Sequence, residues 1–414
     1  MSDQSLSRRS FLTRSLALGC SAAASPWLAP VTMASAPWDT RLVVIILRGA
    51  MDGLGVLQPW GDRNFAALRP DVPTIGAPNG GVDLDGYHGL HPAMAPLLPM
   101  WRAGELGFVN AVSTPYRDKR SHFDGQDILE AGIADMNQPI RDGWLNRLLQ
   151  AVPGVEADTA YTIGSSGMLL TKGRAPVAEW SPQSVLAMSP QAQRLMEHVM
   201  HDDPLFRGAL AEALDLSEGQ EASAMMSGDD GSMMSGMAAV RQGAQVARDN
   251  AGPIHVAKFA AERLREDARI AAFSINGWDT HNNQQAAIAR PLGALVETLT
   301  TLRQDLGPVW QRTGVIAMTE FGRTARLNGT RGTDHGTGGT LIFAGGALRG
   351  GQVHGRWPGL TEADLYERRD LMPTSDVRAQ AGLVMQGLFG LDRSVIEQVV
   401  FPGVQMEGAA RLVL

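Results

Sequence analysis

The sequence predicts an α/β protein built on a largely parallel central sheet flanked by helices. Three observations carry this. Short continuous apolar runs, RLVVIILRG at 41–49 and further runs at 269–276, 313–319 and 340–345, read as buried strands. Segments with helical spacing separate them, which is the alternation of a sheet covered on both faces. Clusters of carboxylate and imidazole stand where the runs begin or end, and open α/β sheets build their sites at such edges.

The chain begins with Ser7-Arg8-Arg9-Ser10-Phe11-Leu12-Thr13, a twin-arginine pattern with apolar residues two places after the pair. The apolar stretch from Phe11 to about Ala24 is shorter than the ~20 residues of a membrane span. Residues 1–36 therefore read as a signal peptide for the twin-arginine export machinery, with the periplasm or the outside as destination. Ala34-Ser35-Ala36 has the small-x-small form for cleavage, with Ala22-Ala23-Ala24 as the alternative. Cys20 is the only cysteine, so the mature chain has neither a disulfide nor a thiolate ligand.

The 414 residues carry a net charge of −7; the leader holds three arginines and one aspartate, which leaves about −9 on the mature protein. Such a protein gains nothing from the phosphate backbone, so no nucleic acid partner is expected. No second long apolar stretch follows, so the mature chain is expected to have no membrane span.

After the first strand, Ala50–Leu54 turns away, and 92–103 shows helical spacing through Met94, Leu97, Leu98 and Trp101 before Gly104. ELGFVNAVS is the next strand. SHFDGQDILEAG, from Ser121 to Gly132, reads as a loop entering a helix. A short helix over 142–151 and a strand in TAYTIGSS follow. Residues 183–216 and 237–268 have long helical patterns on either side of SAMMSGDDGSMMSGM, and predict a helical insertion over about 183–268. The remaining order is strand 269–276, helix 284–305, strands 313–319 and 340–345, and a helix over 376–389. A leader and one α/β domain over 37–414 account for the whole chain.

The polar clusters carry the chemistry. Asp279 and His281 follow the 269–276 run, and in extended backbone residues two apart point the same way. Glu320 follows 313–319, and Asp334-His335 precedes 340–345 among glycines. Zinc, manganese, iron and calcium accept these ligand types between them, so a divalent metal is the expected cofactor. Asp52, after the first strand, is a further ligand or a turn residue. Ser121 stands at a helix amino terminus, where an anion is favoured; it is a nucleophile activated by metal or a helix cap. Arg117, Lys119 and Arg120 offer positive charge for an anionic group or for solvent. His354 is a weaker candidate, and His88 and His91 read as loop or core contacts. The methionines of 223–237 form a flexible loop or a soft Cu(I) site.

LRGAMDGL, VNAVSTPYRDKRSHFDGQDILEAG, NGWDTHNNQ and TEFGRTARLNGTRGTDHGTGG together resemble the bacterial "domain of unknown function 1501" family over nearly the whole mature chain. That resemblance implies an alkaline phosphatase-like and sulfatase-like sandwich. It also implies a metal site with Asp52 after the first strand, Ser121 as nucleophile, Asp279 and His281 on a middle strand, and His335 before a late one. Where the superfamily pattern has Asp-His, this chain has Glu320-Phe321, which implies one metal or an altered pair. The resulting expectation is an exported metal-dependent hydrolase of small anionic phosphate or sulfate esters. Asp52, Asp279, His281, Glu320, Asp334 and His335 would hold the metal, and Ser121 and Arg120 would act on the ester. The rival expectation is a non-catalytic binding or assembly scaffold.

Overall fold

The computed structural model describes residues 38–117, 120–164, 167–181 and 252–414. The leader, the methionine-rich segment, most of the expected insertion and Lys119 lie outside them. The main sheet contains β1 (Arg41–Arg48), β2 (Leu106–Ser113), β3 (Ala160–Ile163), β4 (Ala178–Trp180), β5 (Ile270–Asn276), β6 (Thr313–Met318), β7 (Gly339–Ala344) and two short strands, β8 (Val353–His354) and β9 (Ser375–Asp376). Their order is β8-β2-β7-β6-β1-β5-β3-β4, with β9 also pairing β2.

β1 lies at the centre, parallel to β5 with Leu42 opposite Ile270 and parallel to β6 with Arg41 opposite Thr313. β7 is the exception. It runs antiparallel to both β2 and β6. Its amino end therefore lies at the same edge as the carboxyl ends of β1, β2, β5 and β6.

The apolar run of β1 has no polar alternation because both sides are covered. Val43, Ile45 and Leu47 face one core cluster, and Leu42, Val44 and Ile46 face the other. The first face is covered by α3 (Pro253–Arg265) and α4 (Ala289–Leu306), which pack on each other. On α4, Leu292, Leu295, Leu299, Leu302 and Leu306 recur at helical spacing and are buried. Each such leucine contributes roughly 1.5–3 kcal/mol by leaving water. The described end of the expected insertion, α3, is thus part of the core cover. The second face is covered by α2 (Trp144–Gln150) and α5 (Val377–Phe389). One further helix, α1 (His122–Ala131), starts at Ser121 and ends at Gly132, where φ is +64°. The 92–103 segment is helical as expected, but its first half, Pro92–Leu97, is a 3-10 helix containing two prolines. Among the described residues no helix is long and apolar enough to cross a membrane.

Candidate metal centre

Four loops converge at that edge of the sheet. They follow β1, β2, β5 and β6, the last of them running on into β7. Close approach needs glycine: Gly49 has φ +117°, and a Cβ there would lie 2.6 Å from the Asp279 nitrogen. A Cβ at Gly332 would lie 2.0 Å from the His281 carbonyl group.

His122, Asp279 and His335 form a group whose ligand atoms all lie within 4.8 Å of one another. Asp279 Oδ1 is the hub. His122 Nε2 lies 3.4 Å from it, His335 Nε2 3.2 Å and His281 Nε2 2.9 Å. His281 Nε2 and His335 Nε2 are 3.0 Å apart. Donors at ~2.0–2.1 Å from a tetrahedral ion are separated by roughly 3.3 Å, so these spacings suit a divalent metal.

Two of the imidazoles are oriented from their other nitrogen. His122 Nδ1 donates to Glu320 Oε1 at 2.8 Å. His335 Nδ1 donates to the Arg120 carbonyl at 2.9 Å. His281 Nδ1 lies 3.6 Å from Asp334 Oδ1, an ion-pair separation and not a hydrogen bond. A carbonyl or carboxylate only accepts, so on His122 and His335 the proton belongs on Nδ1 and the lone pair on Nε2. Two lone pairs, the His281 Nε2 and a carboxylate oxygen then face one another. His122 Nε2 is buried and has no hydrogen-bond partner. This is the donor arrangement expected of metal-binding histidines, whose second nitrogen is held by an oxygen.

Charges follow the same plan. Burial acts to raise the Asp279 carboxyl, but the Arg323 hydrogen bond and charge, with His281 and His335, hold it down at about 2. The Arg323 guanidinium, itself buried, reaches Asp279 Oδ1 at 2.5 Å. The Glu320 hydrogen bond raises the His122 imidazole against the opposing effect of burial. Burial lowers His335. Glu320 is fully buried; desolvation acts upward on it, yet hydrogen bonds from His122, Gln126 and Gly49 keep it below the usual range.

The sequence-predicted residues separate into two groups. Asp279, His281 and His335 come together around one point. Glu320 and Asp334 stand behind them: Glu320 Oε1 accepts from His122, Gly49, Ala50 and Gln126, which leaves that oxygen fully engaged. Asp334 accepts from Asn328, which also binds the His281 carbonyl. Asp52 is buried in a two-pronged pair with Arg69, at 2.6 and 2.9 Å, and accepts from Gln284 as well. Ser121 Oγ accepts from the Asp124 amide at 3.4 Å as the cap of α1. Arg120, at φ +53°, presents its carbonyl to His335, and its guanidinium lies 3.7 Å from Glu367. Arg117 donates to the Thr114 and Tyr116 carbonyls. His354, His88 and His91 have their own partners in Arg349, Asp85 and the Ala93 amide.

His122 and the structural role of Arg323 were missed in the sequence. His122 adjoins Ser121, and the signal was present: an imidazole at a loop-to-helix junction after a strand. Phe321, next to Glu320, packs among these rings. Its ring stacks on His122 at 5.2 Å and on Tyr116 at 5.8 Å, and tilts against His335 at 5.3 Å.

No curated protein matches the chain. Among solved structures, it is similar to a protein of the alkaline phosphatase superfamily from Vibrio parahaemolyticus, with TM-score 0.38 and 11% identity over 95% of this chain and 79% of that one. It is also similar to a 2-O GAG sulfatase, with TM-score 0.38 and 9% identity over 90% and 76%. A third is the lipoteichoic acid synthase LtaP from Listeria monocytogenes, with TM-score 0.37 and 8% identity over 88% and 76%. The family model described as "Protein of unknown function (DUF1501)" matches residues 110–400, and the chain belongs to that family.

Proposed function

We propose that the chain is an exported metal-dependent hydrolase of phosphate or sulfate esters, with one divalent ion held by His122, Asp279, His281 and His335. The observation that carries this reading is the common orientation of three imidazoles, each facing an oxygen through Nδ1 and facing Asp279 Oδ1 through Nε2. A bound ion would supply Lewis acidity to an ester oxygen and neutralise charge on the transferred group. Three imidazoles with one carboxylate suit zinc or iron better than calcium, which prefers oxygen alone.

The chain's own residues do the rest. Glu320 keeps the proton of His122 on Nδ1. Arg323 fixes Asp279 and cancels one negative charge, so an anionic ester meets less repulsion. Ser121 precedes His122 at the amino end of α1; in this reading its hydroxyl attacks the ester, and the Arg120 side chain positions the anion.

Elemental analysis of the folded protein tests the centre, with Asp279→Ala and His122→Ala alongside. About one equivalent of zinc or iron, absent from both folded variants, is expected. A wild type that takes up no ion after incubation with each would end the proposal. Ser121→Ala then tests the nucleophile: release of 4-nitrophenol from its phosphate and sulfate esters should be lost, while loss of the cap costs only ~1 kcal/mol of stability.

A second reading, a non-catalytic binding or assembly scaffold, draws on one observation. Arg323 already supplies a cation to Asp279 Oδ1. Under that reading the wild type binds no metal, and Asp279→Ala acts on stability alone.

A further inference from the structure

The amino half of α1 carries His122 and has little apolar packing to hold it. Among residues 122–127 only Gly125 is buried, and Phe123 is 83% exposed. Gly125 sits against Phe321, where a Cβ would come within 2.9 Å of the ring. The buried apolar side chains of the helix, Ile128, Leu129 and Ala131, all lie more than a turn beyond the ligand. Apolar packing is non-directional and tolerates small rotations. Side-chain tips lie ~5–6 Å from a helix axis, so a rotation of about 10° moves them by roughly 1 Å. Metal–ligand distances tolerate only about 0.2 Å.

A polar stripe supplies the direction. His122, Gln126 and Glu130 are four apart and share one face of α1. Arg48, at the end of β1, spans the last two. Its Nη1 donates to Gln126 Oε1 at 2.7 Å, and its Nη2 pairs with Glu130 Oε1 at 2.5 Å. Gln126 Nε2 donates in turn to Glu320 Oε1 at 3.2 Å, the oxygen that also accepts from His122. Glu130 is buried, and its other oxygen accepts from the Leu170 amide at 3.0 Å. Arg48 is itself well placed to hold: it ends the central strand, opposite Asn276 of β5. The fork of its guanidinium grips two successive turns of the helix at once.

We propose that Arg48 is a positioning residue of the metal centre: through Gln126 and Glu130 it fixes the rotation of α1, and with it the aim of His122 Nε2. The proposal rests on His122 being a metal ligand and adds how that ligand is held. Arg48 acts through α1, not on the metal or the substrate.

Two variants break the stripe without stranding a buried charge. Gln126→Leu cuts the link to Glu320 and leaves Arg48 paired with Glu130. Arg48→Met combined with Glu130→Gln removes both charges together. Three readouts apply: zinc affinity by competition with a fluorescent chelator, the visible spectrum of the cobalt-loaded protein, and the His122 Nδ1–H proton resonance of the metal-free protein, assigned with His122→Ala. Both variants, folded by circular dichroism, should bind zinc about tenfold more weakly, the low end for a group behind a ligand. Their cobalt bands should shift, and the His122 N–H signal should broaden or vanish. A merely structural role would lower the unfolding midpoint and move none of the three. Wild-type zinc affinity, cobalt spectrum and N–H signal in the folded variants overturn the proposal. A wild type that takes up neither ion, with the N–H signal still lost in the variants, ends the metal reading and leaves the hold of Arg48 on His122 standing.

Discussion

Glu320→Gln separates a carboxylate that holds the metal from one that holds a ligand. Four donors reach Glu320 Oε1: His122 Nδ1 at 2.8 Å, the Gly49 amide at 2.9 Å, the Ala50 amide at 3.1 Å and Gln126 Nε2 at 3.2 Å. The other oxygen meets Thr319 Oγ1 at 2.9 Å. A glutamine can place its oxygen where Oε1 stands and its amino group against the threonine hydroxyl. The shape survives, and the negative charge behind His122 does not. Loss of such a partner typically costs 10–100-fold in metal affinity, or roughly 1.4–2.7 kcal/mol. The assay is competition for zinc against a fluorescent chelator, with thermal unfolding in parallel. Asp279→Asn is the reference and should lose binding altogether. Wild-type affinity in a folded Glu320→Gln variant would refute the argument that Glu320 orients His122. Loss as complete as in Asp279→Asn would make Glu320 a direct ligand, as its position in the sequence suggested.

Three further outcomes follow from the same geometry. Asp52→Asn leaves the buried Arg69 without its carboxylate and should cost about 3–5 kcal/mol in denaturant unfolding, with metal content per folded molecule unchanged; loss of the metal would make Asp52 a ligand. Phe321→Ala removes the ring against His122, Tyr116 and His335 and should cost ~3–5 kcal/mol; an unchanged unfolding midpoint would contradict that packing. The pH profile of zinc affinity should show a step above the ordinary histidine value, because the Glu320 hydrogen bond raises His122. Below the ordinary histidine value His122 is protonated in both the folded and unfolded states and its pairing with Glu320 contributes fully to metal-free stability; as pH rises from there through the step that contribution is lost, and zinc affinity is gained. Glu320→Gln should move the step to lower pH, and a step already at or below the ordinary value in wild type would contradict the assignment.

The strands were legible because burial on both faces removes polar alternation, and RLVVIILR shows this directly. The cluster of Asp279, His281 and His335 was legible for a related reason: carboxylate and imidazole stand where buried strands of one sheet begin or end, and folding brings those ends together. The distinction between Glu320 and Asp279 was not legible. Both follow parallel strands, and only the positions of the Gly49 and Ala50 amides, 270 residues away in sequence, decide that Glu320 is enclosed. Asp52 looked like a ligand for the same reason, and its partner Arg69 is set by tertiary packing. His122 was hidden by Ser121, which occupies the cap of the same helix. The approach of His335 depends on β7 running against its neighbours, a matter of topology that a local apolar run does not encode.

Arg323 accounts for how these loops hold their places. Its guanidinium donates to the Gly49 and Ala50 carbonyls at 2.7 Å, to Thr333 at 3.1 Å, to Trp278 at 3.2 Å and to Asp279 Oδ1. One residue of the loop between β6 and β7 thereby fastens the loops after β1 and β5 and the far end of its own loop. Burying a guanidinium costs several kcal/mol unless it is paired and hydrogen-bonded, and here its partners are four carbonyls and a carboxylate. The imidazoles are therefore presented on a frame that the metal does not have to build. Binding at 100 times the dissociation constant adds only ~2.7 kcal/mol by mass action, so chelation should lower the melting temperature by a few degrees and leave near-ultraviolet circular dichroism intact. Arg323→Met should do the greater damage, since it strands the carbonyls and leaves Asp279 without its cation. If chelation unfolds the wild type as fully as that substitution does, the metal is the organiser of the loops, and the frame argued for Arg323 does not exist.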